Sequence, residues 1–265
     1  MYSPVKLALK YLNYYLSASN NKGYGIHSPF VFEFVTKVLN DDRQFYCFKT
    51  IEALRAQLQQ AKTEITLQDF GAGSRVHASY KRKVADIARS SLKPKKFAQL
   101  LFRMVNFYQP VNILELGTSL GITTAYLASA NTNANVVTME GAKAVAAIAQ
   151  INFHQLQLNN IKIVEGNFDD ILAPTLNKFS KIDFAFIDGN HRKEPTLNYF
   201  QQILVKTTDN SILVFDDIHW SKEMEETWDI IKAHSRVTLS IDLFFIGIVF
   251  FRKEQKEKQQ FTIRF

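Results

Sequence analysis

A single cysteine stands in the 265 residues, so the chain has no internal disulfide, and Cys47 reads as a small buried hydrophobe in a reducing compartment. Long apolar runs are also missing. The longest, Leu243 to Phe251, is too short to cross a bilayer, and Met1 to Asn20 has no secretory core because Lys6, Lys10 and Asn13 interrupt it. Neither export nor a membrane partner is expected, and the cytoplasm is the expected compartment. Disorder is not indicated either, since a hydrophobic content of 46% is enough to fill a core. A formal charge of +7 and a pI near 9.3 leave room for an anionic partner, RNA included. The basic residues are nonetheless scattered over Lys81-Arg82-Lys83, Lys93, Lys95-Lys96 and a tail, Arg252 to Lys258, that Glu254 and Glu257 offset. Such dispersal reads as solvated surface.

What is present is organised around one stretch, Val111 to Ala125. An apolar run ends in Glu115, passes through a loop punctuated by Gly117 and Gly121, and re-emerges as a helix-forming segment. That is how a buried parallel strand hands over to a helix across a ligand site. A dinucleotide site wants G-x-G-x-x-G, whose second glycine lets backbone close on a pyrophosphate. Here Ser119 fills that slot, so a pyrophosphate is disfavoured. The residues suit a ligand with an ammonium for Glu115, a carboxylate for the helix N-terminus and the hydroxyls of Thr118, Ser119 and Thr123, and a nucleoside over the glycines. S-adenosylmethionine carries all three. At these residues the chain resembles the class I S-adenosylmethionine-dependent methyltransferases, whose first motif reads acid-x-Gly-x-x-x-Gly, and among them the small-molecule, catechol-type O-methyltransferases. The resemblance implies an α/β, Rossmann-like, seven-stranded, mostly parallel sheet with an antiparallel last strand.

The remaining segments fit an extension followed by that domain. Val5, Ala8, Leu9, Leu12, Tyr15 and Leu16 share one face at helical spacing; Ser28-Pro29 starts a second helix with Phe30, Phe34 and Val38 in register; Thr50 to Lys62 is a third, with Ile51, Leu54 and Leu58 inward. Residues 1–92 are thus expected to form an N-terminal helical extension capping an acceptor site, and residues 93–265 the cofactor domain. His27, before the second helix, is given a turn-bracing role. A second strand-acid-glycine stretch, Ile65 to Ser74, imitates the cofactor motif, but no strand ending in an acid follows its glycines at the required distance. It is read as an ordered turn, and the polar Ser74 to Lys83 as strandless. Pro94 opens a helix with Phe97, Leu100, Leu101, Met104 and Val105 on one face.

Beyond the glycine loop, Val136 to Met139 is a strand ending in Glu140-Gly141, where a βαβ unit puts the carboxylate that accepts both ribose hydroxyls. After helix Lys143 to Leu158, strand Ile161 to Val164 runs into Asn167 and Phe168, which the resemblance matches to the adenine corner. Strands Ile182 to Ile187 and Ser211 to Phe215 then end in Asp188-Gly189-Asn190-His191 and Asp216-Asp217-Ile218-His219. On one edge of a parallel sheet these acids repel unless protonated or bridged by a cation, and hard oxygen donors suit Mg²⁺. In the resembling enzymes the matching positions, Asp188, Asp216 and Asp217, hold the divalent ion; Asp188 also counts among the cofactor contacts. His191, three residues after Asp188, is nominated as the base and His219 as its reserve. Capping of helix Ser221 to Ile231 is the structural alternative for Asp216-Asp217.

The function expected is O-methylation of a small hydroxylated acceptor. A nucleic-acid methyltransferase is the alternative drawn from the charge, disfavoured for base amines because the Asn/Asp-Pro-Pro-aromatic loop is missing after strand four; a cofactor-binding module without turnover is the other. A homodimer is left open.

Overall fold

The computed structural model describes residues 1–19, 22–23, 27–68 and 79–265. In chain order they form α1 (Pro4–Ser17), α2 (Pro29–Phe34) running into a π-helical turn (Val35–Leu39), α3 (Tyr46–Gln60), β1 (Glu64–Gln68), β2 (Ser79–Lys83), α4 (Val84–Ser91), α5 (Lys95–Tyr108) and β3 (Asn112–Leu116). Then come α6 (Ile122–Ala130), β4 (Asn135–Glu140), α7 (Lys143–Gln155), β5 (Ile161–Glu165), α8 (Phe168–Leu176), β6 (Ile182–Ile187) and α9 (Lys193–Leu204). β7 (Thr207–Asp216), α10 (Lys222–Ala233), β8 (Leu239–Asp242), β9 (Ile246–Phe250) and β10 (Gln259–Thr262) close the chain. The fold is α/β, as expected, with a mostly parallel central sheet of eight strands, the expected seven and one more at the edge. The addition is β10, an edge strand parallel to β8.

Packing groups the chain into two compact units, residues 1–41 with 175–265 and residues 42–174. In the second unit β3, β4 and β5 run parallel. Ile113, Leu114 and Leu116 are fully buried, which is why this strand reads as a continuous apolar run rather than an alternation. α5 buries Phe97, Leu100, Leu101, Met104 and Val105, the face its spacing dictates, and α3 buries Ile51, Leu54 and Leu58. The cofactor-like decoy corner itself, Asp69 to Ser74, lies outside the described residues. Its flanks correct the sequence reading: Ser79–Lys83 is a strand after all, paired antiparallel with β1 in a separate two-stranded sheet. Lys81 and Lys83 are exposed and Arg82 only half-buried, so no apolar alternation signals the strand.

In the first unit β6 and β7 are parallel, and β9 runs antiparallel between β7 and β8. All five residues of β9 are buried. Gly247 is required there: a Cβ on it would stand 2.7 Å from the Trp228 ring, itself 1% exposed. Gly247→Ala therefore overpacks a rigid aromatic and should cost about 1–3 kcal/mol, read as a lowered Tm in thermal unfolding. α1 departs from expectation in direction. Tyr14 and Ala18 are its buried residues, packed with Leu7, Tyr11, Phe244 and Phe245, whereas the face of Val5, Leu9, Leu12, Tyr15 and Leu16 is turned to solvent.

Candidate functional site

β3 delivers Glu115 into a fully buried position. Thr124 and Thr138 both donate to its Oε2, the latter at 2.6 Å, and Thr138 Oγ1 lies 2.6 Å from Thr118 Oγ1. Its other oxygen, Oε1, is buried without a hydrogen-bond partner among the described residues. Burial outweighs the two hydroxyls and pushes the Glu115 carboxyl up to about 7, with the nearby charge of Glu140 adding to the rise.

After Glu115 the loop is pinned to the end of β4, where Gly117 and Thr118 donate their N–H groups to the Met139 carbonyl at 3.1 and 3.0 Å. Asn152 on α7 braces it with a 2.8 Å bond to the Leu120 carbonyl. Gly121 caps α6 in the left-handed region at φ 82°, and the Phe153 ring lies 2.5 Å from where its Cβ would be. Only glycine fits both conditions. Thr123 is buried in the first turn of that helix.

Ser119 adopts φ 48°, the left-handed backbone that glycine supplies in a dinucleotide loop. Its N–H donates to Glu140 Oε2 at 2.8 Å, while its hydroxyl oxygen is buried without a partner among the described residues. Glu140 Oε1 accepts from the Ala142 N–H at 2.9 Å. Burial raises the Glu140 carboxyl, and backbone N–H groups of Ala142, Ser119 and Gly141 hold it down. Ser119 and Ala142 thus donate to different oxygens, and the carboxylate keeps lone-pair capacity beyond its backbone donors. At the end of β5, Gly166 donates to the Glu140 carbonyl at 3.0 Å. Asn167 is exposed, and its Oδ1 accepts from the Asp169 N–H at 3.3 Å, capping α8; Phe168 is half-buried.

The acid-rich loops belong to the other unit. His191 Nε2 stands 3.6 Å from Asp188 Oδ1 and 3.9 Å from Asp217 Oδ2. Asp188, His191 and Asp216 each present one ligating atom, all within 4.8 Å of one another. Asp216 is 2% exposed, and Asp217 holds φ 53° with its N–H bonded to the Phe245 carbonyl at 2.7 Å. Neither acid is needed as a helix cap, because Ser221 Oγ accepts from the Met224 N–H at 3.1 Å and caps α10 itself.

His219 is not brought into this group. Its Nδ1 lies 3.1 Å from Glu225 Oε1 and its Nε2 2.8 Å from Asp242 Oδ2, with the ring stacked on Phe244. Burial lowers its pKa, but the two carboxylates outweigh that and raise it overall. With both nitrogens engaged, His219 braces the loop and is not a free base.

Against known proteins, residues 114–218 match a family model described as a methyltransferase domain. The chain is similar to that family from β3 to the loop after β7. Its fold is shared with the O-methyltransferase from Bacillus cereus, solved with SAH, at TM-score 0.57 and 22% identity over 83% of this chain and 96% of that one. It is shared too with the O-methyltransferase TomG from Streptomyces achromogenes, solved with SAM, at TM-score 0.53 and 20% identity over 61% of this chain and 82% of that one. A catechol O-methyltransferase from Niastella koreensis is 34% identical over 126 residues, 46% of this chain. The chain spans 55% of the length of that curated relative.

Within the matched stretch, sequence reasoning missed the residues that hold the glycine corner in place. Thr138 sits mid-strand and Asn152 mid-helix, and only the second gave a signal: a polar residue at an inward position of α7. The buried Glu115 yields a pH prediction. Unfolded, its carboxyl titrates near 4.5; folded, it titrates near 7. Between those values the folded domain keeps a proton the unfolded chain has lost, so this contribution is complete below the unfolded pKa and lost as pH rises through the folded one. At about 1.4 kcal/mol per unit the swing is on the order of 3 kcal/mol. Glu115→Gln, which mimics the protonated form, should flatten the fall of Tm between about pH 5 and 7, measured without cofactor.

Proposed function

We propose that the chain is an S-adenosylmethionine-dependent O-methyltransferase of the cytoplasm, acting on a small hydroxylated acceptor with help from a divalent cation. The observation that carries the cofactor assignment is Glu140. Its carboxylate is fixed by backbone N–H groups of Ser119 and Ala142 at the end of the strand beside the glycine loop, with capacity left over for a vicinal diol. The orphaned Ser119 Oγ and Glu115 Oε1 in the same corner are donor-and-acceptor and acceptor groups that a zwitterionic amino-acid moiety would satisfy. Gly117, Thr118, Gly121, Thr123 and Gly141 shape the floor, and Asn167 and Phe168 are assigned to the adenine.

For the acceptor, Asp188 and Asp216, with Asp217 beside them, would hold a divalent cation; carboxylates this close together favour one by their mutual repulsion. When bound, S-adenosylmethionine supplies an electrophilic methyl group and the cation a Lewis acid that acidifies a hydroxyl. The protein's own work is positioning and proton transfer. His191 takes the acceptor proton at Nε2, and the carboxylates of Asp188 and Asp217 stand within 4 Å as counter-charges for the imidazolium formed. No covalent nucleophile is required, since alignment of an oxygen anion with the methyl group supplies much of the acceleration.

The test is transfer of a labelled methyl group to a panel of catechols, other phenols and sugars, with Mg²⁺, Mn²⁺ or chelator. Labelled ether product from a hydroxylated acceptor is expected. Cofactor binding without turnover on any acceptor would remove the enzymatic reading, and product formed only on RNA would replace the acceptor class.

A further inference from the structure

α1 is apolar on two sides, and only one is used. The inner side is fastened: Tyr14 donates to the Ile263 carbonyl, Lys10 pairs with Glu225 at 2.9 Å, and Tyr2 reaches the same carboxylate at 2.7 Å. The helix therefore cannot roll to bury its outer stripe without breaking these ties. On that stripe Val5 is 71% exposed, Leu9 62%, Leu12 53% and Leu16 69%, with Met1 before the helix at 84% and Tyr15 beside it at 48%. The 5, 9, 12, 16 spacing keeps the four aliphatic residues on one line of a 3.6-residue helix. Scattered exposed leucines need no explanation, but a contiguous stripe does.

The charges around it have one sign. α1 contains no acidic residue; exposed Lys6 flanks the stripe on one side, and Arg264 lies over the Tyr15 ring at 4.9 Å on the other. The acid approaching from α10, Glu225, is already engaged by Lys10, Tyr2 and His219. A second copy of the chain would bring the same positive rim against itself. It would also find little to bury: a stripe about 21 Å long and about 10 Å wide offers on the order of 200–300 Å² per copy, against about 800 Å² per partner in a stable dimer.

We propose that this outer face of α1 rests on an anionic lipid surface, with Val5, Leu9, Leu12 and Leu16 in the headgroup–acyl boundary, Tyr15 at its edge, and Lys6 and Arg264 among the headgroups. Fourteen residues are too few to span a bilayer, so the helix lies in the plane, and one such helix gives weak, reversible attachment. Among the described residues no helix is long and apolar enough to cross a membrane, which leaves this mode untouched.

The test is co-sedimentation of the full chain with phosphatidylcholine vesicles, with and without about 30% phosphatidylglycerol. Binding is expected to the anionic vesicles and to fall several-fold at high salt. Leu9→Glu combined with Leu12→Glu should reduce it at least about tenfold while leaving Tm nearly unchanged, since both side chains are exposed. Equal retention of the double variant, or no binding by the parent chain, overturns the proposal. So does sedimentation of the parent as a dimer that the double variant splits, because that makes a second copy the occupant.

Discussion

Glu140→Ala should bind S-adenosylmethionine at least about 100-fold more weakly than the parent chain by isothermal titration calorimetry. Hydrogen bonds to a charged acceptor contribute about 1.5–3 kcal/mol each, and the ribose diol would make two, so the loss is on the order of 3–6 kcal/mol. The substitution also leaves the N–H groups of Ser119 and Ala142 without their acceptor, which loosens the glycine loop. A ligand series separates the two effects. Adenosylhomocysteine should bind the parent chain more tightly than its 2′-deoxy analogue by about tenfold or more, and Glu140→Ala should scarcely distinguish them. If the parent chain is indifferent to the 2′-hydroxyl, Glu140 is a loop brace and the ribose assignment fails.

How far such a residue can be read from sequence depends on which force places it. Glu140 ends an apolar run in βαβ register with the glycine loop, and burial of a parallel strand makes that pattern visible. The same force made β4 and β6 legible almost to the residue. What could not be read is who holds the carboxylate, because the donors are backbone groups of Ser119 and Ala142, set by loop conformation. α1 shows a second limit. Periodicity announces an apolar face, yet this helix has two, and the larger stripe is the outer one; the inner was chosen by Phe244 and Phe245, more than 200 positions away. His219 shows a third. Beside Asp217 it reads as a base, but Asp242 and Glu225 close over both nitrogens, and nothing near it in sequence announces Asp242. Ser221, by contrast, was inside the expected helix and proves to cap it, which releases Asp216 and Asp217 from that duty.

Asp216→Asn and His191→Gln are expected to fail in different ways, and the difference tests the acceptor chemistry. Asp216 is almost fully buried with ligating atoms of Asp188 and His191 within 4.8 Å. Removing its charge should weaken Mn²⁺ binding, followed by calorimetry or by the free-ion spin-resonance signal, at least about tenfold and remove the stimulation of methyl transfer by divalent ions. Asp188→Asn should do the same. His191→Gln keeps a polar group of similar reach but cannot accept a proton, so kcat should drop about 10²–10⁴-fold while Mn²⁺ affinity is kept. Acceptors whose hydroxyl is already ionised at the assay pH should lose far less in this variant, because the proton His191 would remove is gone. If Mn²⁺ affinity falls together in all three variants, His191 is a third ligand, and the base must be sought elsewhere. If none of the three changes Mn²⁺ binding, the loops after β6 and β7 hold no cation, and deprotonation of the acceptor has to be explained by His191 alone.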